Sequence, residues 1–401
     1  MKTAFIFFRA PETEFDGEYY SNVISSFASS GFTVDYVDVL CVSDDLIFKR
    51  RLQEFRDRVD NFVVIGGDVV CFDIKDIIAE CMDAPMVEND NAKRFLDAVS
   101  KSDGVDYPQD YALVPILGTV IPNIHGPFQG FILDDNDFTL ALLPGGLDEI
   151  NVMCDKYVVP YLETKSGIKR SRLTLKYFGD RVALEKTLRE AENIGVGGFS
   201  YHLTEINGDI KIEMMFNDSG SDERGEIIRY VLSNHKDNVY AEYDVSLGER
   251  LLDVLKLKNL KLSVAESFTS GRVVSEVIKT PGASAFVDEG VVSYSNLSKM
   301  KRLGVLDADL KKHGAVSSVV AYQMCAGLLR GGGCDVAIAT TGIAGPNSDD
   351  TKKPVGLCYI AVGMRDGVHT YRFNLSGSRE KITETAKNTA LFLAIKKLKN
   401  I

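Results

Sequence analysis

The stretch VAESFTSGR (264–272) concentrates residues able to do chemistry. An apolar run ends at Glu266-Ser267, and Thr269, Ser270 and Gly271 open a stretch that reads as a helix. The first amides of a helix have no acceptor within it, and the positive end of the helix dipole stands behind them. That arrangement suits a phosphate or a developing oxyanion. Ser267 beside it is a nucleophile if a base lies nearby. The same cluster also reads as an ordinary N-cap. In SYSNLSKMKRLG (293–304), Tyr294, Ser295 and Asn296 sit where a strand gives way to a helix, with Lys299 near its start. A cation there opposes the helix dipole, a conflict that hints at use. An exposed lysine and a half-buried tyrosine are the alternative. In ATTGIAGP (339–346), Thr341, Gly342 and Gly345 follow a buried strand. Glycines let backbone approach a ligand, and strand ends are where open α/β sheets bind one. A plain turn fits these residues equally. Ser376-Gly377-Ser378-Arg379, before the last helix, is a further candidate anion site.

These clusters need elements to hold them. Hydrophobic periodicity predicts strands at 260–265, 290–296 and 335–342, helices at 271–279 and 307–332, and a long amphipathic helix at 380–400. Upstream, TAFIFF (3–8), 32–40 and NFVVIGGD (61–68) read as strands. They alternate with helices at 19–30 and after Ser43-Asp44-Asp45, the pattern of a parallel sheet. Residues 130–146 read as paired strands. Residues 171–179, 182–195 and a hairpin around Asn207-Gly208 make a small α+β segment. The expected organisation is three α/β or α+β domains, 1–164, 165–244 and 245–401.

Composition bounds the rest. The chain has 401 residues, beyond a single ordinary core. It carries 46 Lys and Arg against 57 Asp and Glu, a net charge of −11, which disfavours general nucleic-acid binding. No apolar run is long enough to span a bilayer, and the N-terminal run is too short for a signal peptide, so a cytoplasmic protein without membrane attachment is expected. The seven cysteines are odd in number and scattered, not a disulfide framework. No metal-ligand spacing occurs among the histidines and cysteines, so no metal ligand is assigned.

From about Leu262 onward the motifs AES-F-T-S-G, PGASAF, GVVSYSNLSKMKRLGV, KHGAVS, TTGIAGP, KPVG and SGSRE occur in order. In them the chain resembles the C-terminal domain of the CinA (competence/damage-inducible protein) family, a nicotinamide-nucleotide amidase domain. The resemblance implies deamidation of nicotinamide mononucleotide to nicotinate mononucleotide and ammonia. It implies Ser267 as nucleophile, with Tyr294 and Lys299 in the base system. It places Thr269, Ser270, Gly271, Thr341, Gly342 and Gly345 on phosphate and oxyanion-side loops, and Arg379 on the last anion contact. It also implies a pyridine nucleotide as partner, a homodimer, and no cofactor for the amidase. The family's ES-C-T-G-G becomes Ser267-Phe268-Thr269-Ser270-Gly271 here, which implies a changed pocket. The loop after Pro346 (Asn347, Ser348, Asp349, Asp350) lacks the family's glycine run.

The first half resembles the family's molybdopterin-binding-like domain, which is linked to ADP-ribose pyrophosphatase activity with a divalent metal. Its acidic turn is replaced by Arg9-Ala10-Pro11-Glu12, and its phosphate and metal loop is reduced to Gly66-Gly67-Asp68-Val69-Val70-Cys71-Phe72-Asp73. A degenerate scaffold is expected there. Metal is needed only if that half is active, which makes a bifunctional enzyme one alternative; a non-catalytic nucleotide-binding protein is the other. No histidine lies in any of the C-terminal motifs, which argues against a Ser-His-Asp triad. Lys299 serves as base only with a pKa well below about 10.4. Tyr294 would relay the proton or hold the geometry, and the helix N-terminus would receive the oxyanion, the phosphate or both.

Overall fold

The computed structural model describes residues 1–9, 17–29, 32–41, 45–135, 137–167, 170–194, 198–217, 221–347 and 353–399. Contacts divide the chain into two compact units, Met1–Ser171 with Met215–Asp218, and Arg172–Met214 with Ser219–Ile401. Most of the expected linking segment thus groups with the C-terminal segment.

In the first unit, Thr3–Arg9 lies inside a six-stranded sheet, between Tyr36–Cys41 and Asn61–Ile65, with both pairings parallel. Phe138–Leu143 continues the parallel set, and Gly130–Asp135 and Thr119–Ile121 add antiparallel strands. Successive residues of TAFIFF point to opposite faces. Ala4, Ile6 and Phe8 join one core, and Phe5 and Phe7 the other. A strand covered on both sides reads as a continuous apolar run, which is why it was legible. The second strand begins at Tyr36, not at residue 32. Gly66, at φ 99°, leads directly into the helix Gly67–Met82, and Asp68 Oδ1 accepts the Gly145 amide at 2.6 Å. The side chains of residues 69–73, like Ala10–Glu12, Ser43-Asp44 and Ser348–Asp350, lie outside the described residues.

A four-stranded sheet runs in the order Phe199–Ile206, Asp209–Asn217, Arg170–Phe178, Val239–Ala241. Asn207 and Gly208, at φ 50° and 81°, make the expected tight turn between its first two strands.

The C-terminal sheet orders Val287–Val292, Leu262–Glu266, Val336–Gly342, Leu357–Met364 and Gly367–Asn374. The first three strands are parallel and the last two antiparallel. Its two faces differ in side-chain size. Leu262, Val264, Val336, Ile338, Ile360 and Val362 pack with the helices Leu247–Lys258 and Arg379–Lys399. Ala265, Ala337, Ala339 and Ala361 form the other face, against the helix Ser318–Gly331. Small residues bring that helix close to the sheet. Between helices the approach is just as tight, since a methyl added at Gly327 would meet the Leu303 carbonyl oxygen at 2.1 Å.

The helix expected over 307–332 is two helices, Asp307–His313 and Ser318–Gly331. Gly314 leaves helical geometry at φ 74°, ψ 162°, and the Ser317 hydroxyl accepts the Val320 amide to cap the second helix. The break matters because the intervening loop reaches the strand end that carries Thr341. No helix among the described residues is long and apolar enough to cross a membrane.

Candidate active site

Leu262–Glu266 is flanked by Val287–Val292 on one side and Val336–Gly342 on the other. The chain therefore reverses its direction of strand addition there, the point at which an open α/β sheet presents its ligand crevice. Ser267 is the first residue past that strand. Its amide donates to the Thr340 carbonyl at 3.1 Å, and the Ser293 amide donates to the Glu266 carbonyl at 2.8 Å. The nucleophile candidate is thus held between two parallel neighbours.

Lys299 reaches it from the helix Asn296–Leu303, whose N-cap is Ser295. Lys299 is 1% exposed, and its Nζ lies 3.0 Å from Ser267 Oγ, 2.7 Å from the Ser293 carbonyl oxygen and 3.3 Å from that of Tyr294. Burial pushes its pKa down to about 8. A neutral amine has two N–H donors and one lone pair. The two carbonyls take the donors, which leaves the lone pair for the Ser267 proton. Tyr294 contributes its carbonyl, while its side chain is 70% exposed. Its phenol, expected to relay the proton or hold the geometry, is exposed rather than held in the buried contact.

The helix N-terminus does not stand open as expected. Glu266 is 1% exposed, and its carboxylate accepts the amides of Gly271 at 2.9 Å, Val273 at 3.2 Å and Val274 at 2.9 Å. The Arg272 amide donates to the Thr269 carbonyl. The first amides of the helix Arg272–Ile278 are therefore engaged within the protein, and the expected anion seat is filled by the chain's own carboxylate. The amides of Phe268 and Thr269, on the turn beside Ser267, donate to no backbone acceptor. Sequence reading missed Glu266. The signal was an acidic residue just ahead of a helix start, where a carboxylate complements the dipole.

Several of the expected binding hydroxyls are also engaged internally. Thr269 Oγ1 lies 2.6 Å from Thr340 Oγ1, Ser270 Oγ donates to the Phe268 carbonyl, and Thr341 Oγ1 donates to the Ala315 carbonyl at 2.8 Å. Ser270 adopts the left-handed φ of 57° and Gly271 a φ of 92°. Left-handed backbone suits Gly271 and strains Ser270, which carries a side chain. Gly342 is a spacer, where a methyl would meet Cys358 Cβ at 2.6 Å and the Phe268 ring at 3.0 Å. Phe268 packs with Ala344, Cys358, Ile382 and Ala386. The Phe268 side chain is thus a core contact. Gly345, at φ 83°, offers its carbonyl to Arg379 Nη1 at 2.6 Å. Lys353 Nζ donates to the carbonyls of His313 and Val316. The segments around Gly314, Thr341 and Lys353 are thereby tied together.

Known proteins are similar to this chain in sequence. The model of the CinA C-terminal domain matches residues 244–398. A protein of Caldicellulosiruptor saccharolyticus, named as competence-damage inducible, is 34% identical over 327 residues, which cover 79% of each chain. One of Clostridium acetobutylicum with the same name is 30% identical over 390 residues, 91% of each chain. The crystal structure of the competence/damage inducible protein CihA from Agrobacterium tumefaciens is 34% identical, covering 39% of this chain and 99% of its own, with a TM-score of 0.37. With a third of its residues shared across four fifths of its length, this chain belongs to the CinA family of competence-damage inducible proteins.

Proposed function

We propose that the C-terminal domain is a serine amidohydrolase, and that its substrate is nicotinamide mononucleotide. The single observation that carries the reaction class is the buried Lys299 amine at 3.0 Å from Ser267 Oγ. The family resemblance supplies the substrate. Neutral Lys299 takes the Ser267 proton as Oγ attacks the carboxamide carbon, and the carbonyl oxygen becomes an oxyanion. The amides of Phe268 and Thr269 directly follow the nucleophile in sequence, donate to no backbone acceptor, and are proposed to receive that charge. As the tetrahedral species collapses, the Lys299 ammonium returns the proton to the departing nitrogen, and ammonia leaves. Lys299, neutral again, deprotonates a water that attacks the acyl-enzyme, and Ser267 Oγ recovers its proton. The cycle is complete with protein side chains and water, so the proposal includes no cofactor.

Arg379 is the cation proposed for the phosphate. One arm of its guanidinium holds the Gly345 carbonyl, and the side chain is exposed. Planar guanidinium groups suit phosphate. Ser270, Gly271 and Gly345 are proposed to border the nucleotide through backbone. The Thr269 and Thr341 side chains and Gly342 support the loops rather than touch the ligand. By the same resemblance, the proposed assembly is a homodimer.

The test is to incubate the purified protein with nicotinamide mononucleotide and measure ammonia, beside Ser267→Ala. Ammonia from the wild type and none from the variant is the expected outcome. No ammonia from either overturns this substrate assignment.

A further inference from the structure

We propose that Glu266 is a positioning residue that sets the attack geometry of Ser267, an inference that rests on Ser267 being the nucleophile. Residue 266 is fixed on every side. Its carbonyl accepts the Ser293 amide, and the next amide donates to Thr340. Its carboxylate, almost fully buried, then closes back on Gly271, Val273 and Val274. The turn from Ser267 to Gly271 therefore leaves residue 266 through its backbone and returns to its side chain. That closure holds Ser270 in left-handed backbone, where a residue with a side chain is strained.

The consequence is twofold. With the turn closed at both ends, Ser267 keeps little freedom beyond rotation of its own side chain, and the Phe268 and Thr269 amides are held beside it. With the helix amides taken, a carboxylate occupies the place where a substrate anion would otherwise compete for them. The substrate's phosphate is thereby excluded from the nucleophile's end of the crevice and directed elsewhere, while the uncharged carboxamide is admitted. Glu266 touches neither the reacting atoms nor Lys299; it acts through the backbone of the turn.

The test uses the full chain and a reporter independent of the substrate, a fluorophosphonate probe. In the labelling step the Ser267 Oγ–phosphorus bond forms, fluoride leaves, and the proton passes to Lys299. Labelling rate against pH and steady-state amidase kinetics are compared for wild type, Glu266→Gln, Glu266→Asp and Ser267→Ala. Glu266→Gln removes the charge and one acceptor oxygen. Glu266→Asp keeps the charge but falls one methylene short. The expected result is a labelling rate and kcat lowered by about 10²-fold in Glu266→Gln, the scale of a misplaced reacting group. KM and the pH at half-maximal rate should stay at the wild-type values, and Glu266→Asp should fall between. Labelling of Glu266→Gln at the wild-type rate overturns the inference. A shift of the pH midpoint overturns it too, because Glu266 would then act on proton affinity. Loss of the fold in both variants, read by circular dichroism and melting, would make Glu266 a structural cap and nothing more. A wild type that labels no faster than Ser267→Ala removes the nucleophile itself, and that failure is visible before any Glu266 variant is made.

Discussion

Lys299 Nζ lies 3.0 Å from Ser267 Oγ and at the same time rests on the carbonyls of Ser293 and Tyr294. The second half of that relationship gives the first its meaning. Two backbone acceptors hold the amine in place whichever protonation state it has, and only the neutral state has a lone pair to offer. The amidase rate should therefore report Lys299 ionisation. We expect kcat/KM to rise with pH through about 8, the value to which burial lowers this amine, and to level off above it. Lys299→Met and Ser267→Ala should each cost about 10³-fold or more, and the double variant scarcely more than either, as for residues that act as one unit. A flat profile between pH 6 and 9 in the wild type would exclude Lys299 as the base.

Tyr294 presents its carbonyl to Lys299 and its ring to solvent. Tyr294→Phe removes only the exposed hydroxyl. We expect kcat within about twofold of wild type, the scale of a surface substitution. A large fall in kcat at unchanged pH profile would show instead that the phenol swings onto the bound substrate.

Phe268 follows the nucleophile in sequence, yet its side chain belongs to the cluster with Ala344, Cys358, Ile382 and Ala386 and is 4% exposed. Phe268→Ala should therefore cost about 3–5 kcal/mol of stability, as for other buried aromatic truncations. KM for the nucleotide should not change. Denaturant melts and steady-state kinetics on the same preparation separate the two effects, and a changed KM with unaltered stability would return Phe268 to the pocket wall.

The contrast between Lys299 and Glu266 shows what a sequence makes legible. Lys299 stood out because a cation early in a helix opposes the dipole, a conflict visible in one dimension. Glu266 gave no such conflict. Its role depends on a turn that brings Gly271, Val273 and Val274 back onto its carboxylate, and that turn requires positive φ at residues 270 and 271. Side-chain direction was the other hidden quantity. Thr340 and Thr341 point to opposite sides of one strand, so one hydroxyl meets Thr269 and the other the Ala315 carbonyl. Hydroxyls next to a strand end read as ligand contacts until their partners are known. The strands themselves were readable because continuous apolar runs are what buried parallel sheets require.

Lys299 also carries a prediction for stability that is independent of substrate. Its folded pKa is about 8, against about 10.4 in an unfolded chain. Between those values the unfolded state binds more protons, so stability rises with pH there and is flat below. The penalty of burying the charge is thus carried in full at pH 7 and is largely relieved by pH 10. Lys299→Met has no charge to bury but leaves the Ser293 and Tyr294 carbonyls without a donor, a cost that does not vary with pH. The wild type should accordingly gain on the variant by roughly 3 kcal/mol as pH rises from 7 to above 10, with the variant relatively better off at the lower end. Denaturant unfolding of both proteins at pH 7, 8.5 and 10 measures the difference. Parallel stability curves would mean that the amine stays protonated across this range, and Lys299 could not then accept a proton from Ser267.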